Sequence, residues 1–425
     1  MQSKITKLHC FLVVLLAFLL YPVFYGVHIA EGADTYDYVE AARIIVNGYH
    51  QITFRVPVYP LLLIVTHSVD HLSTSLFIIQ YLLYFISIVS LVLAMLHSSI
   101  DKRQILLVTI LLVSPLLVPM VYQAMTESIA FSLVNFVFSG YILIKSKFKF
   151  LLLGLVLAIL TLTRPSFQLT GLLLTILFFV TEKNKFTSIL FFFAFAIPVF
   201  LFSFFNKAKF DFFGITPATG WHLTTKTALF IEEWPDKKMR PLLIRQRNEN
   251  LVNRSSHTGS MFVWNLPYLL QDSLQLNYVQ LSKYMMKNNV ALIKSHPLEY
   301  LSAVGRSLVD YTFPNAISVK VTGVKKGMYA ITQFFYVYLS LLVMVASFVC
   351  LWLFRGRINK KWSFPLMLAA IVIFSNYFAS IAAEVGSSRH RMPTEGLILM
   401  SIVYALPIIS SCRRAVIFGS SHIFK

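Results

Sequence analysis

Several carboxylates and guanidiniums in this sequence stand where such groups can do chemistry. In Ala33-Asp34-Thr35-Tyr36-Asp37-Tyr38-Val39-Glu40-Ala41-Ala42-Arg43, acidic side chains follow directly on a long apolar stretch. A carboxylate held there can act as a general base toward a hydroxyl or an amine, and Asp34 is the candidate. The plainer account is that Asp34 caps the N-terminus of a helix while Glu40 pairs with Arg43 at i,i+3. In Arg55-Val56-Pro57-Val58-Tyr59-Pro60, Arg55 can donate to a phosphate oxygen; equally, the prolines stiffen the chain and Tyr59 anchors it among lipid headgroups. Glu127, after Thr126, opens an apolar run with no basic residue in its short loop. It either favours a helix N-terminus, worth about 0.3–1 kcal/mol, or faces a polar cavity. Arg164 in Thr163-Arg164-Pro165-Ser166, and Arg389 and Arg391 in Ser388-Arg389-His390-Arg391-Met392-Pro393, match phosphate geometry; snorkelling to headgroups is the alternative. His296-Pro297 reads first as a helix start, and second as a substrate contact.

These groups must be positioned by apolar elements. Of the 425 residues, 57% are hydrophobic and 13% charged, against roughly 25% charged in a soluble domain. That composition excludes a soluble globular enzyme and a disordered chain. Continuous apolar runs, rather than short alternating ones, indicate helices and not a β-barrel. Windows near 8–28, 75–96, 105–122, 127–144, 150–163, 167–181, 187–205, 331–354, 364–383 and 396–412 predict an all-α polytopic membrane protein of about ten transmembrane helices. The pair 150–163 and 167–181 reads as a tight hairpin or as one broken, partly re-entrant element.

The formal charge of +19 reflects topology rather than nucleic acid, for which no binding signature occurs. Basic residues collect on alternate loops: Lys4 and Lys7; Lys102 and Arg103; Lys145, Lys147 and Lys149; Lys183 and Lys185; Arg355, Arg357, Lys360 and Lys361; Arg413 and Arg414. Both termini are therefore expected to be cytoplasmic, and the first helix is read as an uncleaved span because Glu31 spoils the candidate cleavage site. The expected organisation is an N-terminal transmembrane module, 1–205, whose first extracytoplasmic loop, 29–74, carries amphipathic surface helices around Asp37–Val46 and Pro57–Ser68. A mostly helical extracytoplasmic insert, 206–330, and a C-terminal transmembrane module, 331–425, follow. Cys10, Cys350 and Cys412 lie in or beside apolar segments, so no disulfide framework is indicated. No HExxH, zinc-spaced His/Cys cluster, P-loop or GxSxG occurs, which leaves zinc hydrolysis, nucleotide hydrolysis and serine hydrolase chemistry without support.

The order Asp34-x-x-x-Tyr38-x-x-x-Ala42, Gly48, Arg55-x-Pro57-x-Tyr59-Pro60, Thr126-Glu127, Thr163-Arg164-Pro165, His296-Pro297 and Arg389-x-Arg391-x-Pro393 resembles the GT-C superfamily of polyprenyl-phosphate-sugar glycosyltransferases. The bacterial branch related to protein mannosyltransferases and the lipid A aminoarabinose transferase is most similar. The resemblance implies an inner-membrane enzyme that moves a hexosyl or pentosyl unit from a polyprenyl-phosphate carrier to an envelope glycan, lipid or protein. It implies Asp34 as the base for inverting attack. Glu127 would orient the acceptor or a metal; Arg164, Arg389 and Arg391 would stabilise the leaving phosphate; Arg55 and Tyr59 would shape the surface helix beside the donor lipid. Tyr38, Asp37 and His296 would line the substrate site. Many relatives carry two adjacent acidic residues where this chain has Asp34-Thr35, with Asp37 the nearest second carboxylate, so a divalent metal, Mg or Mn, stays open. Many also carry a second Pro where this chain has Gly396. Two other functions fit the same residues: a transporter or flippase for lipid-linked sugars, and an O-antigen-type polymerase or ligase.

Overall fold

In a computed structural model, residues 2–98, 100–254, 269–271, 273–312, 360–383 and 388–418 are described, with isolated positions between 338 and 349. The expected span 331–354 thus lies outside the described residues apart from those positions. The described chain is helical, with no strand among its elements, as the apolar runs require.

The helices are α1 (Gln2–Tyr25), α2 (Thr35–Val46), α3 (Val58–Val65), α4 (Thr74–His97), α5 (Lys102–Leu112), α6 (Glu127–Leu143), α7 (Lys149–Thr161), α8 (Gln168–Thr181) and α9 (Lys185–Phe210). The insert contributes α10 (Thr219–Thr227), α11 (Arg240–Arg254), α12 (Tyr278–Ser295) and α13 (Pro297–Thr312). After it come α14 (Lys360–Ala383), the single turn α15 (Ser388–Arg391) and α16 (Glu395–Phe418). Lys7–Tyr25, Thr74–His97, Lys185–Phe210, Trp362–Ala383 and Arg389–Cys412 are long and apolar enough to cross a bilayer, which makes the chain an all-α membrane protein. Along α9, Phe193, Ile197, Phe200, Leu201 and Phe204 point outward, an apolar stripe suited to lipid and not to water.

The window 105–122 is not one continuous helix. The helix α5 ends at Leu112, and a 3-10 turn, Val118–Tyr122, follows. Pro115 and Pro119 account for the break, since proline lacks the amide donor and pushes its predecessor out of helical geometry. The 11 residues of α5 span about 16 Å, roughly half of a ~30 Å hydrocarbon core. The helices α7 and α8 are likewise separate, divided by Arg164 in extended conformation and a 3-10 turn, Pro165–Phe167. Both pack on α9, and Gly154 permits the approach of α7: a Cβ there would lie 2.5 Å from the Phe191 carbonyl oxygen.

Both amphipathic stretches of the first loop form helices, α2 and α3, and they bury a shared core of Tyr38, Ala42, Tyr59 and Leu63 against Leu76, Ala124 and Ile129. The insert has a core of its own around Trp221, Phe230, Trp234, Leu243, Met285 and Leu292. Its α12 starts at a reciprocal cap, Asn277 with Gln280, and His296-Pro297 separates α12 from α13.

Candidate active site

The first loop is stapled to the chain leading into α6. Ala30 bridges Gln123 in a parallel pairing, and the Thr35 hydroxyl donates to the Ala124 carbonyl at 2.8 Å. The hydroxyls of Tyr38 and Thr126 lie 3.2 Å apart. Tyr59 donates to Gln80 Oε1 at 2.9 Å, while Gln80 Nε2 donates to the carbonyls of Val121 and Gln123 at 3.1 and 3.2 Å. The Val58 amide meets the Leu162 carbonyl at 3.1 Å and so ties the start of α3 to the Arg164 turn. These bonds bring residues 34, 55, 127 and 164 to one end of the helices.

The opposite side is closed by the turn before α16. Asn376 on α14 accepts a hydrogen bond from Ser166 at 2.8 Å and donates to the His390 carbonyl at 2.9 Å and to the Tyr311 hydroxyl at 3.1 Å. One fully buried amide therefore clamps the Arg164 turn to the Arg389 turn. Gly396 is fixed by the same close approach, because a Cβ there would sit 2.6 Å from Asn135 Oδ1 on α6.

What converges is a chain of alternating charges. Arg55 Nη2 lies 2.6 Å from Asp37 Oδ2 and 3.1 Å from Asp34 Oδ1. Asp34 Oδ2 is met by Arg389, whose Nε also donates to Glu127. Arg164 Nη1 lies 3.3 Å from Glu127 Oε1. Asp34 occupies the N-cap position of α2 without any side-chain cap bond; its carboxylate is given to the arginines. Glu127, 1% exposed, is the first residue of α6, and its Oε2 accepts no hydrogen bond from a described residue.

Burial opposes the ionised form of Asp34, but Arg55 and Arg389 outweigh it and hold the carboxyl well below the usual carboxylate range. Burial likewise opposes the charge on Arg55, and Asp34, Tyr38 and Asp37 reverse that and raise it. The hydroxyls of Tyr38 and Tyr59 are pushed up by burial, so both are neutral hydrogen-bonding groups. Tyr59 is wholly buried, edge-to-face with Tyr38 at 4.9 Å, and does not reach outward to headgroups.

Asp34, Asp37, Arg55, Glu127, Arg164 and Arg389 thus share one cluster, with Tyr38 and Tyr59 as its floor. Arg391 and His296 have other partners among the described residues. Arg391, 1% exposed, pairs with Glu395 at 2.7 Å and donates to the Tyr311 carbonyl. His296 follows α12, its ring 6.0 Å from Phe230 and its Nδ1 3.9 Å from Glu299. The exposed pair Glu40–Arg43 forms at 4.0 Å. Gln80 and Asn376 are missing from the sequence-derived set; a lone amide inside an apolar run was their only signal.

The carboxylates do not fit a bound divalent metal as they stand. Each is met by a guanidinium, and among the described residues no group of three or more His, Cys, Asp or Glu is arranged to hold one. What the arrangement offers is an anionic oxygen acceptor beside cationic donors at the end of an apolar bundle. An anionic ligand that drew Arg389 away would raise the Asp34 carboxyl and leave it better able to take a proton. No family model matches this chain, and no curated protein or solved structure does.

Proposed function

We propose that the protein is an inverting glycosyltransferase of GT-C-like architecture, with about ten spans, both termini cytoplasmic and its site on the outer face of the bacterial inner membrane. It moves a hexosyl or pentosyl unit from a polyprenyl-phosphate donor to an extracytoplasmic glycan, lipid or protein. The observation that carries this reading is the diversion of Asp34 from its cap to Arg55 and Arg389.

Asp34 takes the proton of the acceptor hydroxyl as that oxygen bonds to the anomeric carbon. The bond from that carbon to the phosphate oxygen breaks, and polyprenyl phosphate leaves with the electron pair. Arg389 and Arg164 face the charge gained by the leaving group. The donor phosphate competes with Asp34 for Arg389, so donor binding loosens the base from its counter-ion and makes it more basic. Glu127 holds Arg164 and Arg389 in place and offers Oε2 to a substrate hydroxyl.

The test is transfer of labelled sugar from polyprenyl-monophosphate donors by membranes containing wild type or Asp34→Asn. Loss of roughly 10²–10⁴-fold in turnover with intact expression is expected for a missing base. Near-wild-type turnover in the variant ends the assignment of Asp34. Donor binding without turnover in either protein favours a transporter, or a polymerase using diphosphate-linked chains.

A further inference from the structure

The loop that carries Arg55 has no helix of its own between α2 and α3. Its placement comes from the insert. The Arg55 guanidinium lies over two rings, those of Tyr38 and Phe54, at 4.8 Å from each centroid. Phe54 in turn stacks on Trp221 of α10, centroids 4.8 Å apart and planes 19° from parallel, and on His222 at 5.8 Å. The Phe54 carbonyl accepts a hydrogen bond from Thr216 at 2.7 Å, and Thr53 closes the loop by donating to the Arg55 carbonyl at 2.7 Å. Phe54 packs with the insert's core rather than with the core beneath α2 and α3. A continuous line of contact therefore runs from Trp221 through Phe54 and Arg55 to Asp34.

We propose that Trp221 and Phe54 are positioning residues of the Asp34 site: by stacking, the insert fixes the Arg55 guanidinium, and Arg55 fixes the orientation of the Asp34 carboxylate. The inference rests on reading Asp34 as the base, and it adds a role for the insert that neither acidic nor basic residues reveal. Offset-stacked rings and a cation over a ring face are both attractive arrangements, so removing the indole releases Phe54 and then Arg55. Neither aromatic residue touches the reacting atoms. Their loss acts through misplacement, which for a catalytic group costs on the order of ten- to hundred-fold in rate.

The experiment compares wild type with Trp221→Ala, Trp221→Phe and Phe54→Leu in native membranes, using two readouts. The first is modification of arginines by phenylglyoxal, mapped by mass spectrometry, with buried Arg391 as the reference within each molecule. Arg55 is expected to become several-fold more reactive in Trp221→Ala and Phe54→Leu, to stay protected in Trp221→Phe, and Arg391 to stay unreactive throughout. The second is sugar transfer, where Trp221→Ala lowers kcat by on the order of ten-fold or more with the donor KM unchanged, and Trp221→Phe restores it. Unchanged Arg55 reactivity in both Trp221→Ala and Phe54→Leu overturns the proposal, whatever the activity. If Arg391 reacts as well in Trp221→Ala, that variant has loosened generally, and Phe54→Leu, the smaller lesion, decides. A wild type that transfers no sugar while Arg55 responds as described removes the glycosyltransferase reading and leaves the positioning intact.

Discussion

An N-cap hydrogen bond stabilises a helix by about 1 kcal/mol, whereas a charge-assisted bond is roughly twice as strong as a neutral one. Asp34, within reach of Arg55 and Arg389, gives up its cap accordingly. Its carboxyl is held below the ordinary value of about 3.9, so its ion pairs stabilise the fold above that pH and are lost only as pH falls through the depressed value. Kinetically, the acid limb of kcat/KM, which reports the free enzyme, is expected below about pH 4. The limb of kcat, which reports the donor complex with Arg389 engaged elsewhere, is expected at higher pH. Coincident limbs in a pH–rate profile would contradict a donor that unmasks the base. Glu127 is more strictly buried, and Glu127→Gln removes the counter-ion shared by Arg164 and Arg389. Breaking a buried pair in this way costs about 3–5 kcal/mol, to be read as a lowered Tm in detergent.

At the scale of elements, the site depends on turns held against one another by uncharged amides. Asn376→Leu removes the hydrogen bonds that join Ser166, the His390 carbonyl and the Tyr311 hydroxyl through one amide, each worth about 0.5–1.5 kcal/mol. It also lets the Arg164 and Arg389 turns separate, so a raised donor KM is expected in the fraction that folds. A folded variant with wild-type donor KM would show that Asn376 does not hold the two arginines to a common ligand. Asn376 and Ser166 are 210 residues apart, and neither has a charge or a periodicity to single it out, which is why this clamp is illegible in the sequence. Asp34, Glu127, Arg164 and Arg389 are legible because charge at the edge of an apolar run is conspicuous. The helices α2 and α3 are legible from their amphipathic pattern, and the start of α13 from His296-Pro297. The helices α10 and α11 are not, being short or strongly polar and placed by the insert's own core. Arg391 shows that residue type alone does not give the partner: its guanidinium pairs with Glu395 and donates to the Tyr311 carbonyl.

For the whole molecule, the convergence of residues 34, 55, 127, 164 and 389 requires the ends that bear them to share one face of the membrane. If that face is extracytoplasmic, Asp70→Cys, exposed between α3 and α4, reacts with an impermeant maleimide on intact cells. Ser146→Cys, exposed between α6 and α7, reacts only after permeabilisation. The reverse pattern would invert the topology and with it the compartment of the acceptor. The spread of the cluster along the chain also sets a timetable. A ribosome delivers Asp34, Asp37, Arg55, Glu127 and Arg164 long before Arg389, so until residue 389 is made the cluster sets its carboxylates against only two guanidiniums and carries an excess of negative charge. In the glycosyltransferase we propose, the anionic donor therefore meets a net negative cluster until Arg389 and the helix it precedes have entered the bilayer, and a copy synthesised only to Arg164 is expected to be inert.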